Sequence, residues 1–401
     1  MGQFTRQQAA DRAGVSHEDL DRFVELQLVV PDSDDRLSAG DVRKIGLIDS
    51  LVAGGIPLDG MAEAHRVGHM TLDFLDDPSY EHFSALGKLT FVDLSAQTGI
   101  PVELLLVIRE AIGSAVAQPT DLVREIELGI VPMIEAELAM GYPADAVERG
   151  LRTMGDSLRR AAVSEADAFA MIVMTPAVNR PGATGADISR AAVVATQRIR
   201  PTVDSALLAI YHAQQAHAWT TNIMLGFERA LRHAGLVAHP ARPPAMCFLD
   251  VTGYTRLTAE RGDAAAGELA EQLRRMVQRT SVQHGGRPVK WLGDGVMFHF
   301  RDPGPGVVAA LEMAEAMAPA GLPPAHVGLH AGPVLVQDGD YYGATVNIAA
   351  RIAEYARPGE VLVSHAVVEA TSDAPVSFAE VGMVELKGVS EPVRLHIAHK
   401  D

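Results

Sequence analysis

The chain has 401 residues, 48% of them hydrophobic, with 51 acidic against 34 basic side chains and a net charge of −17. A field of that sign argues against broad binding to nucleic acid or anionic membrane, because phosphate is repelled by it. The lone cysteine, Cys247, excludes an intrachain disulfide and suits a reducing, cytoplasmic setting.

The opening MGQFTRQQAADRAG is polar and has no secretory apolar core. The first half then reads as helix almost throughout. TRQQAADRAGVSHEDLDRFVELQLV holds two short amphipathic helices separated by Gly14. Ser16 is placed as an N-cap, with Glu18 and Asp19 in the first turn that follows. A short polar wing leads to a helix from about Ser38, then GGIPL and another helix. That is helix-turn-helix grammar. The pattern recurs: LSAQTGIPVELLLVIREAIG lines up with AADRAGVSHEDLDRFVELQL, Gly99 falling on Gly14. MGYPADAVERGLR lines up with GGIPLDGMAEAHR, Pro143 falling on Pro57. A steady offset of about 85 residues marks a tandem duplication of one helical module.

Over roughly its first 70 residues the chain resembles the DNA-binding head of MerR-type regulators. Base readout needs Arg, Lys, Asn or Gln on the second helix. The first copy offers SHEDLDRFVELQL, with four acids and one Arg, and the second offers the largely apolar PVELLLVIREAIG. Modules reused for packing or ligand sensing are the better reading. Helices continue to a turn at VNRPGATGAD, and a last helix is expected from Thr202 to His233 with Gly235 as its C-cap. It could pair with its twin in a dimer or simply end a domain, and its His212, His217 and His233 invite a pH-sensing role. The apolar runs are broken by charge well before the ~18 residues a membrane span needs, so no span is expected. LVAHPARPPA is a Pro-rich linker. The expected division is 1–86 and 87–160 for the two modules, 161–240 for a helical connector with its linker, and 241–401 for a final domain.

The grammar changes after the linker. AMCFLDVTGY is a strand that ends at Asp250; RPVKWLGDGVMFHF is a hairpin around Asp294-Gly295; AHVGLHAGPVLVQDGDYYG and ATVNIAARIAEYA supply a strand with a hairpin loop, then a helix. GEVLVSHAVV and VGMVELKGVSEPVRLHIA are read as further strands. Strands and helices alternate as in an α+β sandwich related to the ferredoxin-like arrangement. Asp250 and Asp294 on neighbouring strands could hold two Mg²⁺ ions, able to activate a hydroxyl and neutralise a polyphosphate leaving group. His330, Trp291, Phe298 and Cys247 read as structural.

FLDVTGYT, VKWLGDGVMF, HVGLHAGPV and YYGATVNIAARI resemble, in order, the successive signatures of class III nucleotidyl cyclases. The resemblance implies a domain that makes 3′,5′-cyclic nucleotides from nucleoside triphosphates, with Mg²⁺ or Mn²⁺, two per site, at the interface of a homodimer. Asp250 and Asp294 match the metal carboxylates, with the Val251 carbonyl as a further ligand. Lys290 matches the base-selecting lysine and Asp340 its partner. Asn347 matches the residue that orients the ribose, and Arg351 the arginine that stabilises charge on the α-phosphate. Lys387, in ELKGV, matches more loosely the residue that holds the terminal phosphates. A lysine donor with an aspartate acceptor complements the adenine edge, and guanine presents the reverse. ATP is therefore the expected substrate, and a small molecule or pH the expected regulator of the helical half. The competing reading is a DNA-binding regulator that uses the cyclase fold as a nucleotide sensor. The acidic head and the six matching positions oppose it. Regulator and enzyme could also be combined in one chain.

Overall fold

A computed structural model describes residues 3–80, 85–114, 116–236, 242–253, 259–260, 262–337, 339–371 and 374–401. Much of the Pro-rich linker, and Tyr254 and Thr255 of the first cyclase-like signature, lie outside the described residues. The chain divides into two compact units, Met1–Ala230 and Leu231–Asp401.

The first unit is built twice from the same local signals. Thr5 caps α1 (Arg6–Ala13) through a capping box with Gln8, and Gly14 ends it in the left-handed region at φ 79°. Thr90 caps α5 (Phe91–Thr98) through a capping box with Asp93, and Gly99 ends it at φ 75°. Ser16 caps α2 (His17–Glu25), as the sequence reading placed it, and Ser38 caps α3 (Ala39–Ala53). Pro57 starts α4 (Leu58–Arg66); after the short helices α7 (Glu125–Leu128) and α8 (Val131–Ala139), Pro143 starts the long α9 (Ala144–Phe169).

The second helices of the two copies differ in what they bury. On α2 only Leu20 and Phe23 are buried. Its counterpart α6 (Val102–Ala111) buries Leu104, Leu105, Val107, Ile108 and Arg109. The Arg109 guanidinium is turned inward. It forms a fork to Glu127, with Nε to Oε1 at 2.7 Å and Nη2 to Oε2 at 2.8 Å, and Nη2 also donates to the Leu122 carbonyl at 2.7 Å. Glu127 is fully buried and takes a third bond from the Arg124 backbone N–H. Cations of the first copy are engaged in the same way: Arg6 by Asp21 and Asp35, Arg22 by Glu25 and Asp59, Lys44 by Asp41 and Asp76. Of these only Lys44 is buried, and a buried cation held by two carboxylates is poorly placed to neutralise a phosphate backbone.

Three expectations for this unit change. A small sheet, β1 (Leu86–Thr90) paired with β2 (Leu122–Arg124), interrupts the helices; as short strands with mixed burial they leave no periodic signature. The last helix, α11, begins at Gly185 and runs through Pro201 to His233. The Thr202 hydroxyl takes the Ile199 carbonyl at 2.5 Å, in the turn where proline removes a donor. Helix also continues past Phe169 through a widened π-turn, Ala170–Met174, into α10 (Thr175–Val178). The stretch Ala144–Val178 is therefore long and apolar enough, by length and composition, to cross a membrane. Met171 and Ile172 on it are 68% and 74% exposed.

The second unit starts with β3 (Ala245–Val251), α12 (Asp263–Gln283), β4 (Gly286–Leu292), β5 (Gly295–Phe300), α13 (Pro303–Ala316) and β6 (Ala325–Ala331). These strands lie in the order β6-β3-β5-β4, every neighbour antiparallel, which is the ferredoxin-like core the pattern suggested. The hairpin β7 (Leu335–Gln337) and β8 (Asp340–Tyr342) precedes α14 (Ala344–Tyr355). Then β9 (Val361–Ser364) pairs parallel to β6, and β11 (Val393–Lys400) and β10 (Val376–Val384) extend the sheet beyond it. GEVLVSHAVV splits, its second half forming α15 (His365–Ala370). The turn between β4 and β5 is Gly293-Asp294, not Asp294-Gly295: Leu292 pairs with Gly295, and Gly293 takes φ 69°.

Strand alternation sorts the sheet's two faces. Ala245, Cys247, Leu249 and Val251 join Phe298, Phe300, Val327 and Leu329 in the main core with α12 and α13. Met246 and Phe248 face the other way, with Met297, and cluster with Ala349 of α14. Asp250 and His326 share the parity of that second face. Cys247 and Phe298 are fully buried, and burial pushes the Cys247 thiol up, leaving it inert as expected.

The buried fork generates the first prediction. Arg109→Ala leaves the Glu127 carboxylate buried without its partner, and should cost the full-length protein about 3–5 kcal/mol in urea unfolding. A loss below about 1 kcal/mol, the range of exposed pairs, would contradict the packing described.

Candidate active site

Asp250 lies at the penultimate position of β3, paired with Gly295 on one side and His326 on the other. Asp294 occupies the turn immediately before Gly295. A side chain at Gly295 would meet Asp250 Oδ1 at 2.9 Å and the Leu249 carbonyl at 3.3 Å. Only glycine leaves that carboxylate its place. Burial, with the neighbouring Asp250 charge, pushes the Asp294 carboxyl above its ordinary range.

The imidazole of His326 touches Asp250, Nε2 to Oδ2 at 3.2 Å, and its Nδ1 lies 2.8 Å from the Ala353 carbonyl. Both ring nitrogens face acceptors, so the charged, doubly protonated ring is the form that satisfies them. The bond to Asp250 raises the His326 pKa against the opposing effect of burial.

Lys290 and Asp340 come together: Nζ and Oδ2 are 2.5 Å apart, although 50 residues separate them in the chain. The hairpin that carries Asp340 is anchored at Tyr341. Its ring stacks on His299 at 4.6 Å, and its hydroxyl accepts from Arg287 Nη2 at 3.0 Å. Burial and the adjacent Arg287 hold His299 neutral, down to about 4.

Asn347 and Arg351 sit one turn apart on α14. Gly343, at φ 123° and ψ 178°, opens that helix in a region reserved for glycine. Asn347 is exposed. Arg351 Nη1 is held by both oxygens of Glu354, at 2.5 and 2.6 Å. Pairs this exposed are worth about 0–1 kcal/mol, so Glu354 holds the guanidinium only weakly. Val251 is buried at the strand end. Lys387 is exposed in the turn between β10 and β11, at the sheet edge opposite β4. Its neighbour Leu386 packs with Ile352 of α14. Among the described residues, no hydrogen bond or ion pair joins the Lys290–Asp340 pair, Asn347 or Arg351 to the two carboxylates.

The donor set fits a hard divalent cation. Two carboxylates and a strand-end carbonyl supply oxygen only, and among the described residues no cluster of three or more His, Cys, Asp or Glu closes a cage. Such a site leaves coordination positions for water and substrate oxygens, as Mg²⁺ prefers. The buried Thr252 hydroxyl, two residues after Asp250, has no hydrogen-bond partner among the described residues.

The residues missed at the sequence level are His326, Glu354, and the Arg287–Tyr341–His299 anchor. Their roles exist only through strand register and helix packing. His330 proves structural, as expected: its Nδ1 lies 2.7 Å from the Ser364 hydroxyl.

The family model for the adenylate and guanylate cyclase catalytic domain matches residues 236–399, and that for the adenylate cyclase regulatory domain matches residues 37–218. A pH-sensitive adenylate cyclase of Mycobacterium tuberculosis is 30% identical over 315 residues, 76% of this chain and 76% of that protein. An adenylate cyclase of Streptomyces coelicolor is 30% identical over 256 residues, 60% of this chain and 64% of its own length. The crystal structure of an adenylyl cyclase from P. aeruginosa, 23% identical, superposes with a TM-score of 0.37 over 39% of this chain and 94% of that one. The chain belongs to this cyclase family and is an adenylate cyclase.

The second prediction concerns His330. Burial pushes its pKa down to about 4, whereas an unfolded histidine titrates near 6.5. The folded state therefore loses stability as pH falls from 6.5 towards 4, by about 2 kcal/mol already at pH 5. In urea unfolding at pH 7 and pH 5, His330→Gln should lose about 2 kcal/mol less than the unaltered protein. An equal loss in both proteins would contradict the assignment.

Proposed function

We propose that the enzyme converts ATP to 3′,5′-cyclic AMP and pyrophosphate at sites shared between two copies of the catalytic unit. The observation that carries this reading is the Lys290–Asp340 pair, formed at 2.5 Å between side chains 50 residues apart in the chain. An adenine edge needs a donor at N1 and an acceptor at the 6-amino group, and this pair offers both. A guanine would leave both groups facing like partners, which costs most in a water-poor site.

The remaining roles follow from chemistry. The Asn347 amide orients the ribose so that its 3′-hydroxyl lies in line with the α-phosphorus. The Arg351 guanidinium, once released by Glu354, aims fixed donors at oxygens that gain charge as pyrophosphate leaves. Lys387 holds the terminal phosphates. Asp250 and Asp294, with the Val251 carbonyl, would hold two Mg²⁺ or Mn²⁺ ions. When bound, these supply Lewis acidity and screen the triphosphate charge.

The helical unit is read as the regulator, in which helix-turn-helix-derived repeats serve for packing and sensing. Support comes from the regulatory family match over residues 37–218, from the buried Lys44 held by Asp41 and Asp76, and from the relative named as pH-sensitive. An apolar cleft of about 330 Å³, lined by Met70, Phe74, Tyr80, Phe169, Met174 and Ile188 among others, is where a small apolar effector would enter.

The test is complementation. Asp250→Ala and Arg351→Ala should each abolish activity, because each homodimer then carries the same defect in both sites. Mixed in equal amounts, the two should recover activity through dimers with one intact site. Mixed dimers that form and remain inactive would contradict the shared site.

A further inference from the structure

We propose that His326 is a positioning residue for the metal-binding carboxylate Asp250, and that it ties this carboxylate to the helix bearing Asn347 and Arg351. The proposal rests on the assignment of Asp250 as a metal ligand.

The geometry is set by three neighbours on one sheet face. Strand register puts His326 directly opposite Asp250. Two residues further along β6, on the same face, stands Gly328, where a side chain would meet the Ala353 backbone nitrogen at 2.1 Å. Helix α14 can lie this close only because position 328 has no Cβ. The close approach delivers the Ala353 carbonyl to His326 Nδ1, at 2.8 Å. A carbonyl only accepts, so Nδ1 carries a proton and the ring plane is pinned by the helix. The opposite nitrogen then points at Asp250 Oδ2, at 3.2 Å.

Fixing Oδ2 decides what the other oxygen does. Oδ1 is the atom that a side chain at Gly295 would meet at 2.9 Å, so it points across Gly295 towards the turn that carries Asp294. The carboxylate is thus held at one oxygen and offers the other on the side of its partner. Metal-binding carboxylates are oriented in this way by hydrogen-bonding neighbours, and removing such a neighbour typically costs 10–100-fold in metal affinity. His326 does not touch the nucleotide in this reading; it acts through Asp250. The same ring also gives α14 a direct mechanical link to Asp250, through the Ala353 carbonyl.

The test measures metal binding without turnover. Full-length protein with a 3′-deoxy nucleotide, which cannot cyclise, is titrated with Mn²⁺, and free ion is followed by its EPR signal. His326→Leu, close in volume but without either hydrogen bond, should weaken Mn²⁺ binding about 10–100-fold. His326→Gln, whose amide N–H reaches the Nε2 position, should return affinity to within a few-fold of the unaltered protein. Asp250→Asn is the reference and should lose Mn²⁺ binding. If His326→Leu keeps its affinity while Asp250→Asn loses it, the proposal is overturned and the metal assignment stands. If Gln is as damaging as Leu, the ring serves packing and the proposal is again overturned. If Asp250→Asn binds Mn²⁺ normally, the metal assignment itself fails and takes the proposal with it.

Discussion

The catalytic unit depends on the register of one strand. Asp250 sits where β3 is sandwiched between β5 and β6, opposite Gly295 and His326 at once. A slip of one residue would turn Asp250 into the apolar core and bring an apolar neighbour such as Leu249 to the site. The register is held by the alternation itself. Cys247, Leu249 and Val251 need the α12–α13 side, and the parity left over places Met246, Phe248 and Asp250 on the α14 side. The same requirement that fills the core therefore aims the carboxylate.

Glycines then permit what register demands. Gly295 gives room to one oxygen of Asp250, and Gly328 lets α14 descend onto β6. The helix carries Asn347 and Arg351 with it, so the groups assigned to ribose and α-phosphate are positioned by packing against the strands that carry Asp250 and His326. Arg351 rests on Glu354 and Lys290 rests on Asp340. These two cations of the proposed nucleotide site thus each have a carboxylate partner in the folded chain. In the proposed reaction the two pairs differ: Asp340 stays as part of base recognition, whereas Glu354 yields to phosphate.

Much of this was legible in the sequence where signals are local. Thr-, Ser- and Gly-based caps marked the helices, the spacing of Gly14 to Gly99 and Pro57 to Pro143 marked the duplication, and Asp294 marked a hairpin. The four cyclase-like stretches pointed to the residues at the site. What stayed hidden was set by distance in the chain or by context. His326 looked like one more strand histidine until register brought it to Asp250. Arg109 turns inward at the end of an apolar run, because Glu127, 18 residues further on, meets its guanidinium. The last helix was expected from about Thr202, and α11 instead runs through Pro201 from Gly185. HAVVEA, read as strand, is helix because Ser364 turns the chain at the end of β9.

The helical unit and the catalytic unit meet in one question, which is what brings two catalytic units together. If each chain carries two half-sites, specific activity must depend on association. The direct measurement is cyclic AMP formation by the full-length enzyme at saturating ATP and Mn²⁺, with the protein diluted across the range in which its dimer dissociates. The account predicts that specific activity falls in step with the dimer fraction, measured on the same samples by sedimentation. Specific activity that stays constant while dimers dissociate would show a complete site on each chain and contradict it.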